Sequence, residues 1–169
     1  MIKIFGNNTL HTIILAAGEG KRLKPLTQDK PKCLINLFGK SLLQHQLDVY
    51  DSCNINDISI VTGYKKNMIK FSNTSSFHNL NYQNTNMLET LFCAQEKIID
   101  SVIVAYGDII FEKKTLQALL EEEEDISVVV DSNWKKYWGI RFENPLDDAE
   151  SLKIDKQGYI QNIGQKVDD

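Results

Sequence analysis

Thr12 to Ala16 reads TIILA, apolar or β-branched at every position, and it runs without a break into AGEGKRLKPLTQDKPKCLI, a loop that holds two glycines, two prolines and five basic side chains. A strand that is apolar on both faces is buried on both faces, as strands are in a parallel sheet covered by helices. The carboxyl edge of such a strand is where open α/β sheets bind their ligands. Gly18 and Gly20 let a backbone approach a ligand and present its N–H groups. Between residues 21 and 32, Lys21, Arg22, Lys24, Lys30 and Lys32 stand against Asp29 alone, so five positives and one negative leave +4 in a chain whose net charge is −4. A flexible, locally cationic loop at that edge suits a polyphosphate. It is not a Walker loop, because Gly20-Lys21 is followed by Arg22, and it is not a dinucleotide fingerprint, because Leu23 stands where the third glycine belongs.

The rest of the chain supplies the other parts of an α/β fold. Ser41 is placed to cap a helix carrying Leu42, Leu43, Gln46, Leu47 and Tyr50, and Ile58 to Thr62 reads as a second buried strand. Lys65 to Phe71 reads as a short helix, Ser72 to Asn79 as a loop and Asn79 to Gln83 as a strand. Thr85 or Asn86 caps a helix with Leu88, Leu91, Phe92 and Gln95. Ser101 to Tyr106 is a third buried strand closed by Gly107-Asp108, Thr115 to Glu122 is helical, and Ile126 to Asp131 is a fourth strand. WGIRFEN and ESLKIDKQGYIQNIG read as strands, with hairpin chemistry at Asp155 to Gly158. The pattern predicts a Rossmann-like, doubly wound α/β fold: a mostly parallel mixed sheet with an antiparallel C-terminal portion.

A chain of 169 residues is read as one domain. Its apolar runs are too short for a membrane span or a signal peptide, which points to the cytoplasm. Cys33, Cys53 and Cys93 form no paired spacing, so buried small apolar roles are expected rather than disulfides or zinc. His11, His45 and His78 are scattered and show no triad. The acidic run Glu121 to Asp125 reads as a solvated helix end, and the overall charge disfavours nucleic acid.

LAAGEGKRLKPLTQDKPKCLI resembles the signature of the sugar-nucleotidyltransferase-like superfamily, L-A-A-G-x-G-x-R-L-x-P-x-T followed by P-K-x-L, with every position filled. TGYKK after the second strand, NTNMLETL and YGDIIF resemble the cytidylyltransferase branch acting on small phospho-acceptors. That branch includes phosphocholine and aminoethylphosphonate cytidylyltransferases and the phosphoglutamine cytidylyltransferases of capsular phosphoramidate synthesis, to which YGDIIF and the tail are most similar. The resemblance implies an enzyme that uses CTP and Mg²⁺ to transfer CMP to a small phosphorylated acceptor, phosphoglutamine favoured, with pyrophosphate released. Members continue past an IGQK-like segment to a second metal-binding aspartate, so the single domain over 1–169 is expected to lack the C-terminal part of the family fold, and the source of that carboxylate stays open. A sugar-1-phosphate nucleotidyltransferase, or a nucleotide-binding module without robust activity, is the alternative. Homo-oligomers are allowed; membrane and nucleic-acid partners are not expected.

Carried over position by position, the resemblance implies that Leu15, Ala16, Ala17, Gly18, Glu19 and Gly20 meet the nucleotide, that Arg22 grips the leaving pyrophosphate, and that Lys32 sits on the α-phosphate or the acceptor phosphate. Asp108 would hold Mg²⁺. Lys21 and Lys24 are peripheral. Gln83, Asn84 and Asn86 either read the nucleobase edge or serve the following helix. Asp131, Trp134, Trp138 and Arg141 form the acceptor candidate, since Arg suits phosphate or carboxylate and Trp can face an ammonium group; packing is the competing role.

Overall fold

The strand that opens the loop is the hub of the sheet. The computed structural model describes residues 1–6 and 9–166, and its first unit, Met1–Val129, holds in chain order β1 (Ile2–Ile4), β2 (Leu10–Ala16), the two-residue ribbon β3 (Asn36–Leu37) and β4 (Lys40–Ser41), α1 (Leu42–Ser52), β5 (Ile58–Thr62), β6 (Ser75–His78), α2 (Met87–Phe92), β7 (Ser101–Tyr106), α3 (Lys113–Glu121) and β8 (Ile126–Val128). Six strands pair in the order β6, β5, β2, β7, β1, β8. The first four are mutually parallel, and β1 runs antiparallel to both β7 and β8. Ile14 lies opposite Ile60 on one side and Ala105 on the other.

Alternation along β2 divides the core. Ile14 packs with Leu43 and Tyr50 of α1, Leu116 of α3, Ile60 and Ile103, whereas Ile13 packs with Val61, Val102 and Ala94, with Leu91 of α2 against them. Helices thus cover both faces, which is why the strand had to be apolar throughout. From β2 the chain moves outward to β5 and β6 and then returns past β2 to β7, so the order reverses between β2 and β7. Open α/β sheets bind ligands at that reversal.

The mostly parallel mixed sheet agrees with the sequence reading, and the differences are local. Ser41 does cap α1, its Oγ accepting from the Gln44 N–H at 3.1 Å. The segment expected as a loop over 72–79 contains β6, whose exposed Ser75 and Ser76 give an edge strand no apolar run. Residues 79–83 form a turn instead of a strand: the buried Asn79 amide donates to Thr85 Oγ1 and Thr90 Oγ1 at 2.8 and 3.0 Å while its oxygen accepts from the Asn81 N–H. The helix expected over 65–71 is a single turn, Lys66–Met68, and β8 ends at Val128. The acidic run is exposed, as expected, but only Glu121 lies in α3, and Glu122 to Asp125 follow the helix end.

The second unit, Val130–Asp169, contains α4 (Trp134–Arg141), β9 (Glu150–Ile154) and β10 (Ile160–Lys166), the last two forming an antiparallel pair. The hairpin turn is as expected. Asp155 Oδ1 accepts from the Gln157 and Tyr159 N–H groups, and Gly158 takes φ 97°, which a residue with a Cβ resists. The strand expected at WGIRFEN is wrong, because Trp138–Arg141 is the end of α4. Its guanidinium lies 5.0 Å over Trp138 and 5.4 Å over Phe142, a helical contact that β-favouring aromatics concealed. Among the described residues, no helix is long and apolar enough to cross a membrane.

Candidate nucleotide and metal site

Three parallel strands end on one edge, and the segments leaving them meet there. From β2 come Ala17 to Gly20, from β5 Gly63 to Lys65, and from β7 Gly107 and Asp108. Gly20 sits at φ 67°, and a Cβ there would lie 3.1 Å from both Lys32 Cβ and Thr27 Cγ2. Fully buried Thr27 donates its hydroxyl to the Gly20 carbonyl at 2.9 Å and so folds the loop back on itself. That is the physical need for the threonine of the signature, a residue to which the sequence reading attached no role.

Gly107 closes the crevice from the other side. Its N–H donates to the Leu15 carbonyl at 2.9 Å, and a side chain there would lie 3.0 Å from Ala16 Cβ and 3.3 Å from Cys33 Cβ. With the turn Lys32–Leu34 pressed against it, the Lys32 ammonium pairs with Asp108 Oδ2 at the mouth, where the two side chains remain 36% and 29% exposed. Two residues 76 positions apart in sequence, read separately as phosphate and metal ligands, are therefore in contact. Glu19 instead pairs with Lys24 at 3.3 Å and Lys21 at 3.6 Å, and Arg22 is exposed on the same turn.

The other flank of the loop is built by aromatic residues. The Tyr64 N–H donates to the Ala17 carbonyl at 3.0 Å, its hydroxyl donates to the Gln28 carbonyl at 2.8 Å, and its ring lies 6.4 Å from that of Tyr82. A Cβ on Gly63 would come within 2.6 Å of the Ala17 oxygen and 2.8 Å of Tyr82. Leu15 and Ala17 thus have carbonyls already engaged, while the Cα of Gly18 faces open space. Of the polar candidates nearby, Asn86 caps α2, its oxygen accepting from Leu88 and Glu89 at 3.0 and 3.1 Å. The Asn84 amide donates to Asn81, and Gln83 donates to the Tyr82 hydroxyl. Tyr64 and Tyr82 were given no role by the sequence reading, since they follow different strands, β5 and β6, and meet only once those strands pair.

Asp131, Trp134, Trp138 and Arg141 belong to the second unit. The helix sets Trp134, Trp138 and Arg141 at spacings of four and three, on one stripe, with Arg141 stacked on Trp138. Asp131 accepts from the Asn133 N–H at 2.8 Å in the turn that begins α4.

A second polar arrangement departs from the sequence reading. His11 is buried, with Nδ1 2.8 Å from Asp57 Oδ2 and Nε2 3.0 Å from Ser59 Oγ, an acid, imidazole and hydroxyl in line. Ser59 is fully buried near the amino ends of the strands, away from the loops, so no substrate reaches its oxygen. The arrangement ties β2 to β5. Cys33 also behaves structurally: burial pushes its thiol up to about 12, with Asp108 adding to the rise. Burial raises the Tyr50 hydroxyl as well. Both groups stay protonated in the fold while an unfolded thiol ionises from about pH 9, so their contribution is complete below that pH and is lost as pH climbs toward 12. Unfolding midpoints should fall across that window, and iodoacetamide at pH 8 should spare native Cys33 while labelling it in urea.

Asp108 offers hard carboxylate oxygens at an open mouth, which fits Mg²⁺ held by one carboxylate and phosphate oxygens; among the described residues no cluster of three or more His, Cys, Asp or Glu offers a fuller protein cage.

The comparisons accord with this geometry. A CTP:phosphoglutamine cytidylyltransferase of Campylobacter jejuni is 37% identical over 94% of this chain and 66% of its own length. The solved CTP:phosphocholine cytidylyltransferase of Streptococcus pneumoniae matches with a TM-score of 0.57 and 30% identity, over 62% of this chain and 50% of that one. The inositol-1-phosphate CTP transferase of T. maritima has a TM-score of 0.67 at 21% identity, over 98% of this chain and 67% of that one, a likeness of fold. The chain thus spans under two thirds of the first two relatives' length. The profile of the MobA-like NTP transferase domain matches residues 12–158, from the central strand to the β9–β10 turn, and the chain belongs to that family.

Proposed function

We propose that this chain transfers CMP from CTP to a small phosphorylated acceptor, phosphoglutamine favoured, with pyrophosphate leaving. The observation that carries the reading is the meeting of Lys32 and Asp108 beside a glycine loop, at the reversal of the sheet. In the reaction an acceptor oxygen attacks the α-phosphorus, and the bond from that phosphorus to the bridging oxygen of pyrophosphate breaks. Two anions have to meet, so positioning and neutralisation dominate the catalysis. Lys32 takes the α-phosphate or acceptor oxygens, and Arg22 takes the departing phosphates. Gly18 and Gly20 leave room for the nucleotide, and Tyr64 and Tyr82 wall its base end. Mg²⁺ bound at Asp108 supplies neutralisation of the triphosphate. Acceptor selection falls to Asp131, Trp134, Trp138 and Arg141. The 37% identity to a phosphoglutamine enzyme supports this choice of acceptor.

A pyrophosphate-release screen tests the reading. CTP with phosphoglutamine and Mg²⁺ should exceed every other pair drawn from CTP, UTP, dTTP, ATP and GTP against phosphoglutamine, phosphocholine, phosphoethanolamine, aminoethylphosphonate and sugar 1-phosphates. Preference for UTP or dTTP with a sugar phosphate would overturn the cytidylyl reading, and preference for phosphocholine would move the acceptor.

A further inference from the structure

Gln46 is 1% exposed on α1, in the stripe with Leu43 and Tyr50 that packs on the sheet. A glutamine in that stripe is anomalous. Its Nε2 donates to the Tyr106 carbonyl and to the Ile109 carbonyl, both at 2.8 Å. Only the NH₂ end of a carboxamide can meet two carbonyl oxygens, so the chemistry of the partners sets its orientation. Those carbonyls bracket the turn Tyr106-Gly107-Asp108-Ile109. The turn's own closing contact, from the Ile109 N–H to the Tyr106 carbonyl, is long at 3.4 Å. The amide therefore supplies the strong link across a turn that its backbone closes only weakly. The Gln46 oxygen is buried without a protein donor among the described residues, so only the donor end of the amide is satisfied by the protein.

We propose that Gln46 is a positioning residue for Asp108: it holds the turn at both ends and so fixes where the carboxylate meets the metal and Lys32. The inference rests on the metal role proposed for Asp108. Gly107 clamps the turn to β2, Gln46 clamps it to α1, and between them Asp108 is left little freedom except in its own side chain. Once the clamp is gone, the turn loosens by an amount small for the fold but large for an in-line displacement, since a misplacement of about 1 Å costs ~10²-fold in rate. A carboxylate in the same place would set negative oxygen against two carbonyls, so Gln46→Glu should be worse than the near-isosteric Gln46→Met.

The test uses the full chain with CTP and the best acceptor of the screen, titrated with Mg²⁺, and Mn²⁺ binding followed by water-proton relaxation in the presence of CTP. Gln46→Met should lower kcat by roughly ten- to a hundredfold, raise the half-saturating Mg²⁺, weaken Mn²⁺ binding and leave the KM for CTP within about threefold. Leu43→Ala, a cavity in the same helix, should destabilise the chain and leave the metal dependence unchanged. Asp108→Ala keeps the two ideas separable: if it alters neither turnover nor Mn²⁺ binding, the metal reading falls and this inference with it. If Asp108→Ala abolishes both while Gln46→Met matches Leu43→Ala in every metal readout, Gln46 is a packing residue and the inference alone is overturned. Should Gln46→Met fail to fold, Gln46→Leu, which likewise has no donor for the Tyr106 and Ile109 carbonyls, takes its place, and unaltered metal dependence in that folded variant is the overturning result.

Discussion

Lys32→Ala and Arg22→Ala are each expected to lower kcat/KM by roughly two to three orders of magnitude, the size seen when a preorganised donor to a developing anion is removed. The physical case is strongest for Lys32. Its stem lies against Gly20 and its ammonium reaches the mouth shared by the signature loop and Asp108. Lys21 and Lys24 are turned toward Glu19 and cannot replace it without breaking those pairs. Stability should change little, because the ion pair is about one-third exposed and such pairs contribute only ~0–1 kcal/mol. Steady-state rates with CTP and the preferred acceptor, alongside thermal unfolding, check both halves. Near-wild-type turnover in either folded variant would remove that residue from the chemistry.

Gly63→Ala should act differently, on affinity and stability together. The added methyl would sit 2.6 Å from the Ala17 carbonyl oxygen and 2.8 Å from Tyr82. The first neighbour is backbone at the end of the central strand and cannot yield cheaply. Tyr82 must move away from Tyr64, and the 79–86 turn moves with it or the loop does. Overpacking of this kind costs about 1–3 kcal/mol, and the base end of the crevice opens as a result. The expectation is a lower unfolding midpoint and CTP binding weakened by about tenfold or more, measured by calorimetry on the fraction that folds. Wild-type affinity in that variant would mean that Tyr64 and Tyr82 do not wall the nucleotide.

Much of this site was legible because its chemistry is written in contiguous residues. The apolar run at 12–16 announced a strand buried on both faces, and the glycines, prolines and lysines after it announced a loop at its carboxyl end. Asp108 was legible as a carboxylate at a strand end. What escaped were features whose cause lies far away in the chain. The short β1 carries Lys3, a buried lysine at its centre, and IKI is a strand paired with both β7 and β8 whose lysine is accommodated by the Leu120 and Glu122 carbonyls at the end of α3. Nothing local to residue 3 reveals those acceptors. The turn at 79–86 owes its shape to one buried amide that contacts two threonines, contacts invisible in the local sequence, which read as a strand over Asn79 to Gln83. In α4 the aromatic residues favoured a strand by propensity, while the Arg141 stack and the i, i+4 tryptophans formed a helix. The histidine between Asp57 and Ser59 required the register of two parallel strands before it could be seen.

Glu19 changes how the loop looks from a distance. Residues 19 to 32 contain five cations and two anions, a surplus of three, and the Glu19 carboxylate lies within 3.6 Å of two of those cations. The field that extends into solvent is accordingly weaker than a roster of lysines suggests, and it decays within about 10 Å at 0.1 M salt. Capture of a polyanion by such a loop owes more to close fit than to long-range attraction. A polyanion of the wrong shape, such as a nucleic-acid backbone, meets little uncompensated charge on approach, so the phosphate role proposed for this loop would not make an acidic protein a general sink for phosphates.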